Sequence, residues 1–125
     1  WLNEGFATYA EWLWAEHTGK GTAEQTFRAH YRAADNPMWE YPPGIARKDD
    51  LFHNSVYTRG AMTLHALRKE IGDKTFFTLL RTWTTEHRYG NATTEEFIAL
   101  AERLSGKRLG ALFDAWLFQP KRPEL

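Results

Sequence analysis

Residues 55–76 read SVYTRGAMTLHALRKEIGDKTF, and their spacing decides the fold class. Val56, Gly60, Leu64, Leu67 and Ile71 recur at steps of three and four, which lines them along one helical face and fits no alternating strand. Gly72 follows as the expected C-cap, and Asp73 as the expected N-cap of the next helix. Downstream, Phe76, Phe77, Leu79, Leu80 and Trp83 predict a second helix ending near Tyr89-Gly90-Asn91. Thr93 with Glu96 makes a capping box that opens another helix through Phe97, Ala101 and Leu104. LGALFDAWLF (109–118) predicts a last short helix, and QPKRPEL (119–125) a proline-broken tail.

Upstream, residues 37–54 hold three prolines and a glycine with no period of either 2 or 3.6, so they read as a long loop. Loops of that length in compact domains are uncommon and often functional. Before it, Thr22 and Gln25 form a second capping box, opening a helix through Phe27 and Tyr31 to the Asn36-Pro37 break. Residues 2–18 predict the first helix: Phe6, Tyr9, Ala10 and Leu13 share a face, and Gly19 and Gly21 stop it. Trp12 and Trp14 carry the apolar surface around the cylinder, which predicts packing on more than one side. No strand pattern, hairpin signal or internal repeat appears. The expected fold class is all-α, a helical bundle whose short turns favour antiparallel neighbours.

With 125 residues, 42% hydrophobic and 15% aromatic, the chain can bury one core, so residues 1–125 read as a single helical domain. Because the apolar periodicity is already running at Trp1, it also reads as a fragment of a longer polypeptide. Sixteen basic and sixteen acidic side chains cancel without forming blocks, which argues against nucleic acid or a charged membrane surface as partner. The absence of cysteine excludes disulfides and a thiol nucleophile and favours the cytoplasm. No apolar run approaches the roughly 20 residues of a membrane helix, and no signal-peptide pattern opens the chain.

The chemistry begins with WLNEGFATYAEW (1–12), where Glu4 stands in a nearly apolar run. A carboxylate is costly to bury there unless paired or bound to a cation. Glu11 lies two helical turns on, so both carboxylates project from nearly the same face; position alone also fits the polar edge of a packed helix. The histidines at 17, 30, 53, 65 and 87 form no i, i+4 pair able to hold zinc from one helix. His17, His65 and His87 are expected at the surface or at helix ends, leaving His53 in the loop before Tyr57 as the one of interest. A triad of Ser55, His53 and Asp50 or Asp114 lacks the glycines of a nucleophile elbow.

Two stretches, WLNEGFATYAEW and SVYTRGAMTLHALR, resemble landmarks of the zinc aminopeptidases typified by membrane alanyl aminopeptidase and leukotriene A4 hydrolase. The match runs on in order through LRKEIGDKTFFTLLRTW, NATTEEF and LFDAWLFQP. In that family two histidines of an H-E-x-x-H helix and a glutamate about eighteen residues on, in a W-L-N-E-G context, hold the zinc. The resemblance therefore implies Glu4 as a zinc ligand and Glu11 as a carboxylate that orients a ligand histidine. It also implies Tyr57, in the family's V-Y-x-K-G-A context, as the catalytic tyrosine, with Arg59 in place of the usual lysine. On position alone Tyr57 reads as a core tyrosine at a helix start. The implied chemistry is zinc-dependent hydrolysis of peptides with a free N-terminus, the tyrosine hydroxyl donating to the oxyanion. The H-E-x-x-H motif and the glycine-rich segment that binds the substrate amine are missing from these residues. One zinc ligand of three is thus expected here, with activity and zinc retention in the parent protein alone. Without that partner helix, the isolated chain is expected to expose an apolar face on residues 2–18 and self-associate. Lys121 stands where related sequences often have glycine.

Overall fold

The computed structural model describes residues 1–33, 36–45, 55–87 and 92–125. His53, Asp50, the rest of 46–54 and the Tyr89-Gly90-Asn91 helix end lie outside the described residues. The described chain is all-α: helices α1 (Leu2–His17), α2 (Ala23–Ala33), α3 (Asn36–Glu40), α4 (Gly60–Ile71), α5 (Asp73–Glu86), α6 (Thr94–Ser105) and α7 (Gly110–Phe113), with π turns at Ser55–Arg59 and Asp114–Phe118. Among the described residues no helix is long and apolar enough to cross a membrane.

Local chemistry sets most of these boundaries. The N-terminus of α2 is a reciprocal capping box, in which the Gln25 N–H donates to Thr22 Oγ1 (3.1 Å) and the Thr22 N–H to Gln25 Oε1 (2.9 Å). At α6 the Glu96 N–H donates to Thr93 Oγ1 (3.1 Å), and the helix ends on Gly106 in the left-handed region (φ 69°). Gly72 takes φ 85° between α4 and α5, a value that a side chain would strain.

Three boundaries depart from the sequence reading. A short helix, α3, occupies the start of the expected loop: a proline near a helix start forfeits no hydrogen bond, and the turn buries Met38 and Trp39. Asp73 is not an N-cap. Gly72 holds that position, and the Asp73 carboxylate instead accepts from Arg68 Nε (2.9 Å) and Nη2 (3.3 Å). The helix expected from residue 55 begins as a π turn and becomes α-helical only at Gly60.

At the centre lies α4, which buries Gly60 through His65 and Leu67 beneath α1, α2 and α5. Phe27, Phe76, Phe97 and Phe113 belong to the same buried core, each burial stabilising by roughly 1.5–3 kcal/mol. Of the two tryptophans expected to widen the apolar surface of α1, Trp12 is buried, whereas Trp14 is 65% exposed.

His65 corrects the expectation of a surface histidine. It is only 4% exposed, because its position on α4 faces α1 and α2 together. Arg68 Nη1 donates to the Tyr9 hydroxyl oxygen (3.2 Å); Glu24 Oε2 can only accept, so His65 Nε2–H donates to it (3.1 Å), and Nδ1 of the neutral ring accepts from the Tyr9 hydroxyl (2.8 Å). With a neutral ring the relay satisfies every buried polar group in it. Burial pushes the Tyr9 phenol up to about 12 and holds His65 below the ordinary histidine range, against the pull of Glu24. A depressed folded-state pKa makes this contribution fully present above the unfolded value, near 6.5, and lost as pH falls below it. The unfolding free energy from urea titrations should therefore drop from pH 7.5 to pH 5.5, by at most about 1.4 kcal/mol per pH unit for the His65 proton, with His30, also held low by burial, adding its own share. His65→Gln should flatten that slope, and an unchanged slope would contradict the relay.

Candidate active site

The first turn of α1 carries Glu4, and aromatic packing fixes that turn. Trp1 Nε1–H donates to Thr94 Oγ1 (2.9 Å), and the Trp1 and Phe6 rings meet Phe97 edge-on at 6.2 and 5.8 Å. The Glu4 side chain is 32% exposed, with Oε2 at 3.4 Å from the Trp1 amino nitrogen. The expected cost of burying this carboxylate is thus not incurred within the chain. It opens onto a cleft of about 540 Å³ lined also by Trp1, Asn3, Trp83, His87 and Thr94. Glu11, two turns along, is exposed.

Tyr57 sits half-buried in the π turn Ser55–Arg59, a helical irregularity frequent at functional sites. That turn and the start of α4 pack on α1. The contact is backbone to backbone: a Cβ on Gly5 would lie 2.9 Å from the Gly60 carbonyl carbon, and one on Gly60 3.2 Å from Gly5 Cα. Glu4 is the neighbour of Gly5, and Tyr57 lies three residues before Gly60. Two motifs some fifty residues apart in sequence thereby share one helix crossing. Ser55 is buried in the same turn; its proposed triad partners His53 and Asp50 fall outside the described residues, and Asp114 instead accepts from Gln119 Nε2 (2.8 Å).

Among the described residues no group of three or more His, Cys, Asp or Glu side chains could hold a metal ion. Glu4 fits the part of a single ligand: its carboxylate is accessible on a cleft wall and is not consumed by a buried ion pair. Sequence reading missed the Gly5–Gly60 contact. The available signal was a glycine inside each of two apolar helical runs, a pattern that marks close backbone approach.

The Peptidase family M1 domain matches residues 1–116. The chain belongs to peptidase family M1. Aminopeptidase M1 of Arabidopsis thaliana is 28% identical over 134 aligned positions, covering 98% of this chain and 15% of that protein. Aminopeptidase N of Streptomyces lividans is 30% identical over 131 positions, covering 94% of this chain and 15% of its own length. The crystal structure of an M1 zinc metallopeptidase from Deinococcus radiodurans superposes with a TM-score of 0.83 at 32% identity, over 98% of this chain and 28% of that one. A mutant of that enzyme bound to the substrate Tyr-Ser-Ala superposes with a TM-score of 0.81. This M1 chain thus spans about 15% of the length of these two aminopeptidases and 28% of the crystallised chains. The all-α architecture is that of a helical part of an M1 peptidase.

Proposed function

We propose that this chain is one helical domain of a larger zinc-dependent aminopeptidase that removes N-terminal residues from peptides. The observation that carries the reading is the Gly5–Gly60 crossing, which joins the Glu4 turn to the Tyr57 turn. Glu4 contributes one carboxylate to the metal, and two histidines and a general-base glutamate come from sequence outside this chain. Zinc, when bound, supplies the positive charge that polarises a carbonyl and activates water. Glu11, on the same face as Glu4, accepts a hydrogen bond from a ligand histidine and fixes its tautomer. Tyr57 donates its hydroxyl proton in a hydrogen bond to the carbonyl oxygen as negative charge develops there, adding no charge of its own. The zinc metallopeptidase mutant bound to Tyr-Ser-Ala supports a short peptide with a free N-terminus as the substrate class.

The isolated 125-residue chain is expected to lose zinc on dialysis and to leave aminoacyl reporter substrates uncleaved, since a catalytic zinc requires three protein ligands. Stoichiometric zinc after dialysis, or turnover that a chelator abolishes, would contradict that assignment. The same chain should self-associate through the α1 face that bears the exposed Trp14, and a monomer at high concentration in sedimentation would argue against docking by that face.

A further inference from the structure

Arg59 ends the π turn that carries Tyr57 and is 0% exposed. Its guanidinium reaches two distant parts of the chain. Nη1 donates to the Trp39 carbonyl in α3 (3.0 Å), and Nε to the Trp116 carbonyl (2.8 Å). Nη2 lies within hydrogen-bond distance of the Ala115 (3.0 Å), Gln119 (2.6 Å) and Lys121 (3.3 Å) carbonyls. All five acceptors are main-chain oxygens, and those of 115, 116 and 119 belong to the end of the π turn Asp114–Phe118, where helical carbonyls lack partners of their own. The guanidinium carbon also lies 5.4 Å from the Trp39 ring centroid. Burial pushes this cation down to about 10, so it stays charged at neutral pH.

Such a cation is a costly way to fill a core, because an apolar side chain of similar volume is often as stabilising or more so. A planar fork with five donors does supply geometry that an apolar chain cannot. Two further contacts hold the same point. The Thr63 hydroxyl donates to the Arg59 carbonyl (2.8 Å) where the π turn gives way to α4, and the next residue, Gly60, is pressed onto Gly5. The turn bearing Tyr57 is therefore tied at its C-terminal end to α3, to the chain's last segment and to the turn beside Glu4.

We infer that Arg59 is a positioning residue for Tyr57: its fork clamps the π turn to residues 115–121 and to Trp39, and so fixes where the tyrosine hydroxyl meets the reacting carbonyl. This rests on the role proposed for Tyr57 above. Because displacement by about 1 Å can cost about 10²-fold in rate, loosening the clamp acts through the hydroxyl rather than through substrate affinity.

The test is a double-mutant cycle in the full-length, zinc-loaded protein. Arg59→Gln keeps a planar amide with two donors but loses the charge and the rest of the fork, and should lower kcat about 10-fold with KM unchanged. Arg59→Met should lower it further. In a Tyr57→Phe background both effects should shrink to within about twofold, because the group being positioned is gone. Calorimetric titration with a phosphinic dipeptide, whose tetrahedral oxygen mimics the oxyanion, should show Arg59→Gln weakening that ligand while zinc content stays stoichiometric. Should Arg59→Met fail to fold, Arg59→Gln carries the cycle. Wild-type kcat in Arg59→Gln, or a loss of equal size in both backgrounds, overturns the positioning role while leaving Tyr57 in place. A silent Tyr57→Phe overturns both that role and the assignment of the tyrosine.

Discussion

Tyr57→Phe in the full-length zinc-loaded protein is expected to lower kcat by about 10²–10³-fold, or about 2.7–4 kcal/mol of barrier. The substitution removes one oxygen and keeps the ring. Tyr57 is half-buried at the π turn, so keeping its ring leaves the packing of that turn on α1 and α4 intact and the urea midpoint should stay near wild type. KM should also hold, because the hydroxyl is proposed to strengthen its bond only as charge grows on the carbonyl oxygen. Zinc content should stay stoichiometric, since Tyr57 is not proposed as a ligand. Steady-state kinetics with an aminoacyl reporter, together with metal analysis, read all of these at once. Near-normal kcat would return Tyr57 to the status of a packing residue at a helix start.

Glu4→Gln should fail differently. The amide keeps the shape of the side chain but removes the charge that would face a divalent cation, so the metal site itself weakens. Losing a hydrogen-bond partner of a ligand typically costs about 10–100-fold in metal affinity or activity, and loss of a ligand charge should cost more. Zinc per protein should drop after dialysis, activity should drop with it, and added zinc should restore part of both. Stability without metal should barely move, because the carboxylate is partly exposed on an open cleft. The two variants thus give opposite results in metal analysis while both lose turnover. Full zinc retention by Glu4→Gln would remove Glu4 from the ligand set.

The capping boxes at Thr22 and Thr93 were legible because their partners lie three residues away; the first forms reciprocally, and at Thr93 the half donated by the Glu96 N–H forms. The apolar period through Leu64 and Leu67 was legible for the same reason, since a helix repeats every 3.6 residues wherever it packs. Glu4 and Tyr57 stood out through the motifs around them. Their placement beside one helix crossing did not, because it depends on Gly5 meeting Gly60 across fifty-four intervening positions. Asp73 misled because an aspartate after a glycine has two local options, and Arg68 on the preceding helix supplied the stronger partner.

Residue order alone thus settled the helical class, most helix boundaries and the two family motifs, all of which rest on interactions spanning about one helical turn. Tertiary structure decided which polar groups could be buried. His65 is interior only because Tyr9 and Glu24, on two other helices, complete its hydrogen bonds. Arg59 is interior only because carbonyls from Trp39 to Lys121 converge on it, and its place at the end of the π turn follows from that convergence. Unpaired, either group would cost several kcal/mol to bury, and no periodicity in the chain records where the distant partners will come to rest.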